Sequence, residues 1–246
     1  MAALVSDLLP SSVPVSTVVF DMDGVITDTA SVHRVAWKSL FDDYLASRAE
    51  QGADDFVEFT ETDYLQYVDG KRREDGVASF LASRGIEPVT ELVDDLATRK
   101  NDYFLTIVER DGVTQFDDTI AFVRDLQDAG VATALITASR NAVPVLGGAG
   151  LLDLFEVRVD GIVARELDLP GKPAPDVFIE AMQRVGGRVE ETAIVEDAVS
   201  GVQAGRAGDF ALVIGVNRED EVHGARLADN GADVVVTSLD QLRVTS

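Results

Sequence analysis

The chain has 246 residues, 21 Lys+Arg against 44 Asp+Glu, a formal charge of −23, two His and no Cys. Without Cys there is no disulfide framework, no thiolate nucleophile and no Cys-ligated zinc, and His33 and His223 alone are too few for a histidine-built metal centre. The acidic balance argues against nucleic acid, no apolar run is long enough for a membrane span, and neither Lys nor Arg precedes Arg34, so a soluble, cytoplasmic protein is expected, with a monomer as the default.

Residues 1–16 read as a lead-in without regular structure, because Pro10, Ser11, Ser12 and Pro14 oppose it. Thr17-Val18-Val19-Phe20 is the first predicted strand, β-branched and apolar on both faces like a buried parallel strand. From Thr29 to Gln115 no strand is expected. His33, Ala36, Trp37, Leu40, Phe41, Tyr44 and Leu45 share one helical stripe. Val77, Phe80 and Leu81 mark a second helix, stopped by Gly85 and Pro88, and Leu92, Val93, Leu96, Tyr103, Phe104 and Ile107 mark a third. Beyond it, apolar strand runs at Val131 to Ile136, Thr192 to Val195, Ala211 to Val216 and Val234 to Val236 alternate with helical patterns. This predicts an α/β fold: a Rossmann-like parallel sheet core with an inserted all-helical cap domain. The expected core spans 17–29 and 116–246, and the expected cap spans 30–115. An insertion after the first strand sits where open α/β sheets bind ligands, and it is a candidate lid.

Polar residues gather at the predicted strand ends. The first strand runs into Asp21-Met22-Asp23-Gly24, with two carboxylates two residues apart and a glycine that lets the chain turn. The second runs into Thr137-Ala138-Ser139-Arg140-Asn141, whose hydroxyl and backbone N–H groups suit a phosphate. The third ends in Glu196-Asp197, and Gly171-Lys172-Pro173 presents a lysine from a proline-stiffened loop. Singly, each has a plainer reading: a turn, a helix cap, a solvated lysine, or acids at a positive helix end. Together, at consecutive strand ends, they form one constellation. Clustered carboxylates repel one another unless a cation lies between them, and an oxygen-only donor set points to Mg²⁺. Asp21 is then the natural nucleophile of a phosphoryl transfer, and Asp23 the acid/base for the leaving and incoming oxygens.

DMDGVITDT, LITAS, GKPAPDVF and VEDAVSGVQAG, in this order, resemble the four motifs of the haloacid dehalogenase superfamily, and the insertion resembles its smaller cap type. The resemblance runs from about Val15 to the final strand. A closer likeness is to the beta-phosphoglucomutase family. It places His33 on the helix after the first motif as a cap-side partner. It maps the loop Gly70-Lys71-Arg72-Arg73-Glu74-Asp75 onto the segment whose arginine, here Arg73, meets the non-reacting phosphate, and it maps Lys100 onto a second cap lysine. It implies that residues 137–141 (Thr137, Ala138, Ser139, Arg140, Asn141) bind the transferring phosphate and the sugar phosphate. Thr137 and Lys172 become phosphate ligands, while Asp21, the Asp23 carbonyl, Glu196 and Asp197 hold Mg²⁺. The chain departs from the family at Thr137, where Ser is frequent. Phe116-Asp117-Asp118 replaces a common Pro-Gly turn, and the acidic stretch 42–62 is longer.

The resemblance implies a phosphosugar mutase that interconverts beta-glucose 1-phosphate and glucose 6-phosphate through an aspartyl-phosphate and a 1,6-bisphosphate. Such a reaction needs a second anion site, and in a chain of charge −23 the cluster Lys71, Arg72, Arg73 stands out for it. A magnesium-dependent sugar phosphatase on the same scaffold is the alternative, and a non-catalytic sugar-phosphate sensor the weaker one.

Overall fold

The protein is described here as a computed structural model, covering residues 2–5, 13–52, 55–68, 71 and 73–245. Two compact units emerge, Met1–Thr29 with Val113–Ser246, and Ala30–Gly112.

The first unit is built on a six-stranded parallel sheet of order β5-β4-β3-β6-β7-β8. Its strands are β3 (Thr17–Asp21), β4 (Ala132–Ile136), β5 (Val157–Val159), β6 (Thr192–Glu196), β7 (Leu212–Val216) and β8 (Val234–Val236). All five residues of β3, β6 and β7 are buried, which explains why these segments are apolar without alternation. Helices α5 (Asp117–Asp128), α6 (Ala142–Gly148), α7 (Gly161–Glu166), α8 (Asp176–Arg184), α9 (Val199–Ala207) and α10 (Glu221–Asp229) connect the strands. Val177, Phe178, Ala181 and Met182 of α8 pack on Val19, Ala134, Ile136 and Ile194 of the sheet. From β3 the chain builds outward through β4 and β5, then returns to β6 on the other side. That reversal is the switch point at which such sheets open a crevice beyond their carboxyl ends.

Two features depart from the sequence reading. The lead-in contains regular structure: β1 (Ala3–Val5) pairs antiparallel with β2 (Val13–Pro14) and with β9 (Arg243–Thr245). The pairing Ala3↔Thr245 spans almost the whole chain, so no local pattern announces it. β5 was also not anticipated. It is a three-residue edge strand held by its neighbour β4 and carries no apolar run of its own.

The second unit is helical among its described residues. It contains α1 (Thr29–Glu50, whose first residue belongs to the first unit), the short α2 (Glu61–Asp63) running into a π-helical turn at Tyr64–Val68, α3 (Arg73–Ser83) and α4 (Thr90–Asp111). Trp37, Leu40, Phe41, Leu45, Phe59, Val77, Phe80, Leu81 and Leu96 form its own core. Phe41 and Phe80 rings meet at a centroid distance of 4.0 Å. Thr60 and Asp63 form a capping box that starts α2.

The chain leaves and re-enters the first unit side by side. Asp28 N donates to Thr114 O at 2.8 Å and Phe116 N to Ile26 O at 3.0 Å, with an antiparallel bridge between Thr27 and Gln115. These bonds tie residues 113–115 to the core unit, so the contact boundary falls ahead of the expected one at 116.

Candidate active site

Parallel strand pairing aligns the strand ends. Phe20 is level with Val195, and Asp21 with Ile136, so Asp21, Thr137 and Glu196 emerge on neighbouring strands at one edge. Asp21 is 4% exposed and Glu196 fully buried. Lys172 reaches both: its Nζ donates to Asp21 Oδ1 at 2.6 Å and also to Glu196 Oε1. The second Glu196 oxygen accepts from Ala198 N at 2.6 Å. One oxygen each from Asp21, Glu196 and Asp197 lies within 4.8 Å of the others.

Burial pushes the Asp21 carboxyl up to about 8; Lys172 opposes the rise, while Glu196 and Asp23 add to it. Burial likewise raises Asp197 well above the ordinary carboxylate range, reinforced by Glu196 and Asp21. Burial works to lower Lys172, but the charges of Asp21 and Glu196 outweigh it and hold the ammonium above its usual range. One lysine therefore leaves the carboxylates under-compensated. A buried, oxygen-only, like-charged cluster of this size is chemically suited to a divalent cation.

Asp23 belongs to a different set of bonds. Its Oδ1 accepts from Thr29 Oγ1 at 2.5 Å and its Oδ2 from Thr137 Oγ1 at 2.7 Å. Thr137 Oγ1 in turn accepts from Ser139 N at 2.9 Å, and Ser139 Oγ accepts from Asn141 N at 3.1 Å. The Asp23 carboxylate lies outside the three-acid cluster, so its expected place as a metal ligand rests on its carbonyl oxygen alone. Ala138 and Arg140 are exposed beside it.

Glycine makes two of these approaches possible. Gly24 has φ +78°, and a Cβ there would overlap the Asp197 carboxylate; one at Gly201 would overlap the Glu196 carboxylate. The sequence reading gave no role to Thr29, Gly201 or His223. Thr29 and Gly201 do lie within the motif segments. His223 Nε2 is 2.7 Å from the Asp197 carbonyl oxygen, and no motif marks it.

The cap-side residues named from the sequence lie in the helical unit. Lys100 is only 2% exposed, and its Nζ meets His33 Nδ1 and the faces of Trp37 (5.2 Å) and Phe104 (5.0 Å). His33 stacks on Phe104 at 4.4 Å. Burial, then the charge of Arg73, lowers Lys100 to about 7; burial, then Lys100 and Arg73, lowers His33 to about 3. Arg73 Nη2 donates to Asn101 Oδ1 at 3.0 Å. Lys71 stands apart from this group, exposed and bonded to Ser79 Oγ at 2.7 Å. Gly70 and Arg72 lie outside the described residues.

Residues 15–209 match the model of the haloacid dehalogenase-like hydrolases. The chain belongs to that family. A beta-phosphoglucomutase of Mycobacterium bovis is 46% identical over 91% of this chain and 89% of its own. Hexitol phosphatase A of Escherichia coli is 27% identical over 92% of both chains. A Thermotoga maritima protein solved by crystallography superposes with a TM-score of 0.75 at 20% identity, covering 92% of this chain and 96% of its own. The family member described here is thus an enzyme, a mutase or a phosphatase. Among its described residues no helix is long and apolar enough to cross a membrane.

Proposed function

We propose that the protein is a phosphosugar mutase acting on beta-glucose 1-phosphate and glucose 6-phosphate. The observation that carries the reading is the division of labour between two neighbouring aspartates. Asp21 lies against Lys172, where a negatively charged phosphoryl group is drawn in, and Asp23 is oriented by two hydroxyl donors. The 46% identity to a mutase supports the choice of substrate.

An Asp21 carboxylate oxygen attacks phosphorus, the bond from phosphorus to the ester oxygen breaks, and Asp23 gives its proton to that departing oxygen. In the second half-reaction Asp23 takes the proton from the incoming sugar hydroxyl, which attacks the aspartyl-phosphate and frees Asp21. Lys172 and the Thr137 segment hold the transferring phosphoryl oxygens. Asp21, Glu196, Asp197 and the Asp23 carbonyl would hold Mg²⁺, which would supply further charge neutralisation at the site. Arg73 is assigned to the non-reacting phosphate and Lys100 and His33 to the cap-side substrate groups; Ala138, Ser139, Arg140 and Asn141 serve the sugar phosphate.

The test is turnover of beta-glucose 1-phosphate, followed by phosphorus NMR, with and without a trace of beta-glucose 1,6-bisphosphate. A mutase yields glucose 6-phosphate and needs the bisphosphate for full rate. Inorganic phosphate as the main product would instead establish the phosphatase, the activity that Hexitol phosphatase A represents among the relatives.

A further inference from the structure

Arg218 follows β7, at the opposite side of β6 from β4, and no step above uses it. Its Nη2 donates to Asp118 Oδ1 at 2.9 Å and to Thr119 Oγ1 at 3.0 Å, and its guanidinium lies 4.3 Å from the centre of the Phe116 ring. The side chain is largely buried, and its Nε is the one buried side-chain polar atom without a hydrogen-bond partner among the described residues. Burying an unpaired guanidinium N–H is unfavourable, and the cation–π contact with the Phe116 ring works against that cost. Asp118 is itself fixed, its other oxygen accepting from Leu239 N at 2.8 Å.

Phe116 is no ordinary surface aromatic. Its backbone N–H donates to Ile26 O, Gln115 bridges Thr27, and Thr114 O accepts from Asp28 N. Those three partners form the loop that runs from Asp23 to Thr29, whose two ends are the carboxylate and the hydroxyl bonded at 2.5 Å. Gly24 N to Thr27 O closes the loop on itself at 2.9 Å. A continuous set of contacts therefore leads from Arg218 through Phe116 to Asp23.

We propose that Arg218 is a positioning residue for Asp23: by clamping Phe116, Asp118 and Thr119 it holds the returning chain against residues 26–28 and so fixes the Asp23 carboxylate for proton transfer. The proposal rests on the acid/base reading of Asp23. Lysine is no substitute, since it offers the charge but neither the flat face nor the fork.

The experiment compares wild type with Arg218→Leu and Arg218→Lys. Amide hydrogen exchange at Asp28 and Phe116 reads the clamp directly, with Val19 and Ile194 as interior references. Single-turnover release of the leaving group from a sugar phosphate against p-nitrophenyl phosphate reads Asp23, because in this first half-reaction an alkoxide leaving group needs the proton and a nitrophenolate does not, and the later base step that both esters share is left out. In Arg218→Leu the two linker amides exchange at least about tenfold faster while the references hold, and the sugar phosphate loses about tenfold more rate than the aryl ester. Arg218→Lys, which keeps the ion pair to Asp118 and guards against simple misfolding, falls between. Unchanged linker exchange in a folded variant overturns the clamp. Equal losses on both esters overturn the link to Asp23. A wild type inert toward both esters would sink the mutase reading instead, and the exchange measurement would still decide the clamp.

Discussion

The hydroxyl of Thr29 lies 2.5 Å from Asp23 Oδ1, while Thr137 holds the other oxygen at 2.7 Å. Two donors thus fix the carboxylate in rotation. Thr29→Val removes one and keeps the side-chain shape. A hydrogen bond to a charged group is worth about 1.5–3 kcal/mol, so kcat toward a sugar phosphate falls by about one to two orders of magnitude. Steady-state kinetics at saturating substrate check this, and a kcat within twofold of wild type would refute it.

Gly24→Ala introduces a side chain at φ +78° that overlaps the Asp197 carboxylate. The loop must shift, and the three-acid cluster opens. The variant loses most activity and most of its thermal stabilisation by Mg²⁺, measured by scanning fluorimetry with and without the ion.

The acidic cluster sets the pH dependence of metal binding. Burial holds Asp21 near 8 and raises Asp197 in the same direction, so at pH 6 the folded cluster carries protons that a bound cation must displace. In the metal-free protein, a carboxyl with a raised folded pKa lowers stability as pH climbs from its unfolded value, about 3.9, toward 8. A dication reverses that loss. The melting-temperature gain on adding Mg²⁺ is therefore larger at pH 8 than at pH 6, and isothermal titration shows proton release on binding at pH 6.

Lys100 and His33 put the opposite slope on the helical unit. Both are cations whose folded pKa is depressed, to about 7 and about 3. Between the folded and unfolded values the unfolded chain binds more protons, so stability rises with pH, for His33 from about 3 to 6.5 and for Lys100 from about 7 to 10.4. Lys100→Met leaves an apolar side chain among Trp37 and Phe104. It raises the melting temperature at pH 7 and gives progressively less benefit toward pH 10, while sugar-phosphate turnover drops. Melts at pH 5, 7 and 10 check the sign.

Arg73→Ala separates the two phosphate-binding tasks. It reduces flux from beta-glucose 1-phosphate to glucose 6-phosphate by at least about tenfold more than it reduces acetyl phosphate hydrolysis, because the mutase route passes through a bisphosphate whose second phosphate is distal, whereas acetyl phosphate brings only the phosphate that reacts at Asp21. Equal losses would remove Arg73 from the distal role.

Much of this was legible in the chain before any coordinates. β3, β6 and β7 are buried on both faces, so Thr17 to Phe20, Thr192 to Val195 and Leu212 to Val216 are continuous apolar runs. Asp21, Thr137, Glu196 and Asp197 fall together because parallel register converts strand ends into neighbours, and Lys172 reaches Asp21 and Glu196 from the loop before α8. What stayed hidden depends on distance along the chain. Ala3 meets Thr245, Arg218 meets Asp118, and His223 meets the Asp197 carbonyl, and no periodicity encodes such meetings. β5 has three residues and borrows its order from β4. Lys100 stands in the polar run Arg99-Lys100-Asn101-Asp102, yet it is buried, because the aromatic rings that receive it come from another helix and from a later turn of its own.

The bridge between Thr27 and Gln115 joins the two points at which the polypeptide departs for the insertion and comes back. A segment whose ends already touch can be exchanged for another without unpicking the sheet. Replacing residues 30–112 by a short turn should leave a foldable core that still carries Asp21, Lys172, Glu196 and Asp197. With the proposed roles, substrate choice and bond-breaking would evolve as separable modules, one grafted onto the other at a single pair of hydrogen-bonded stretches of chain.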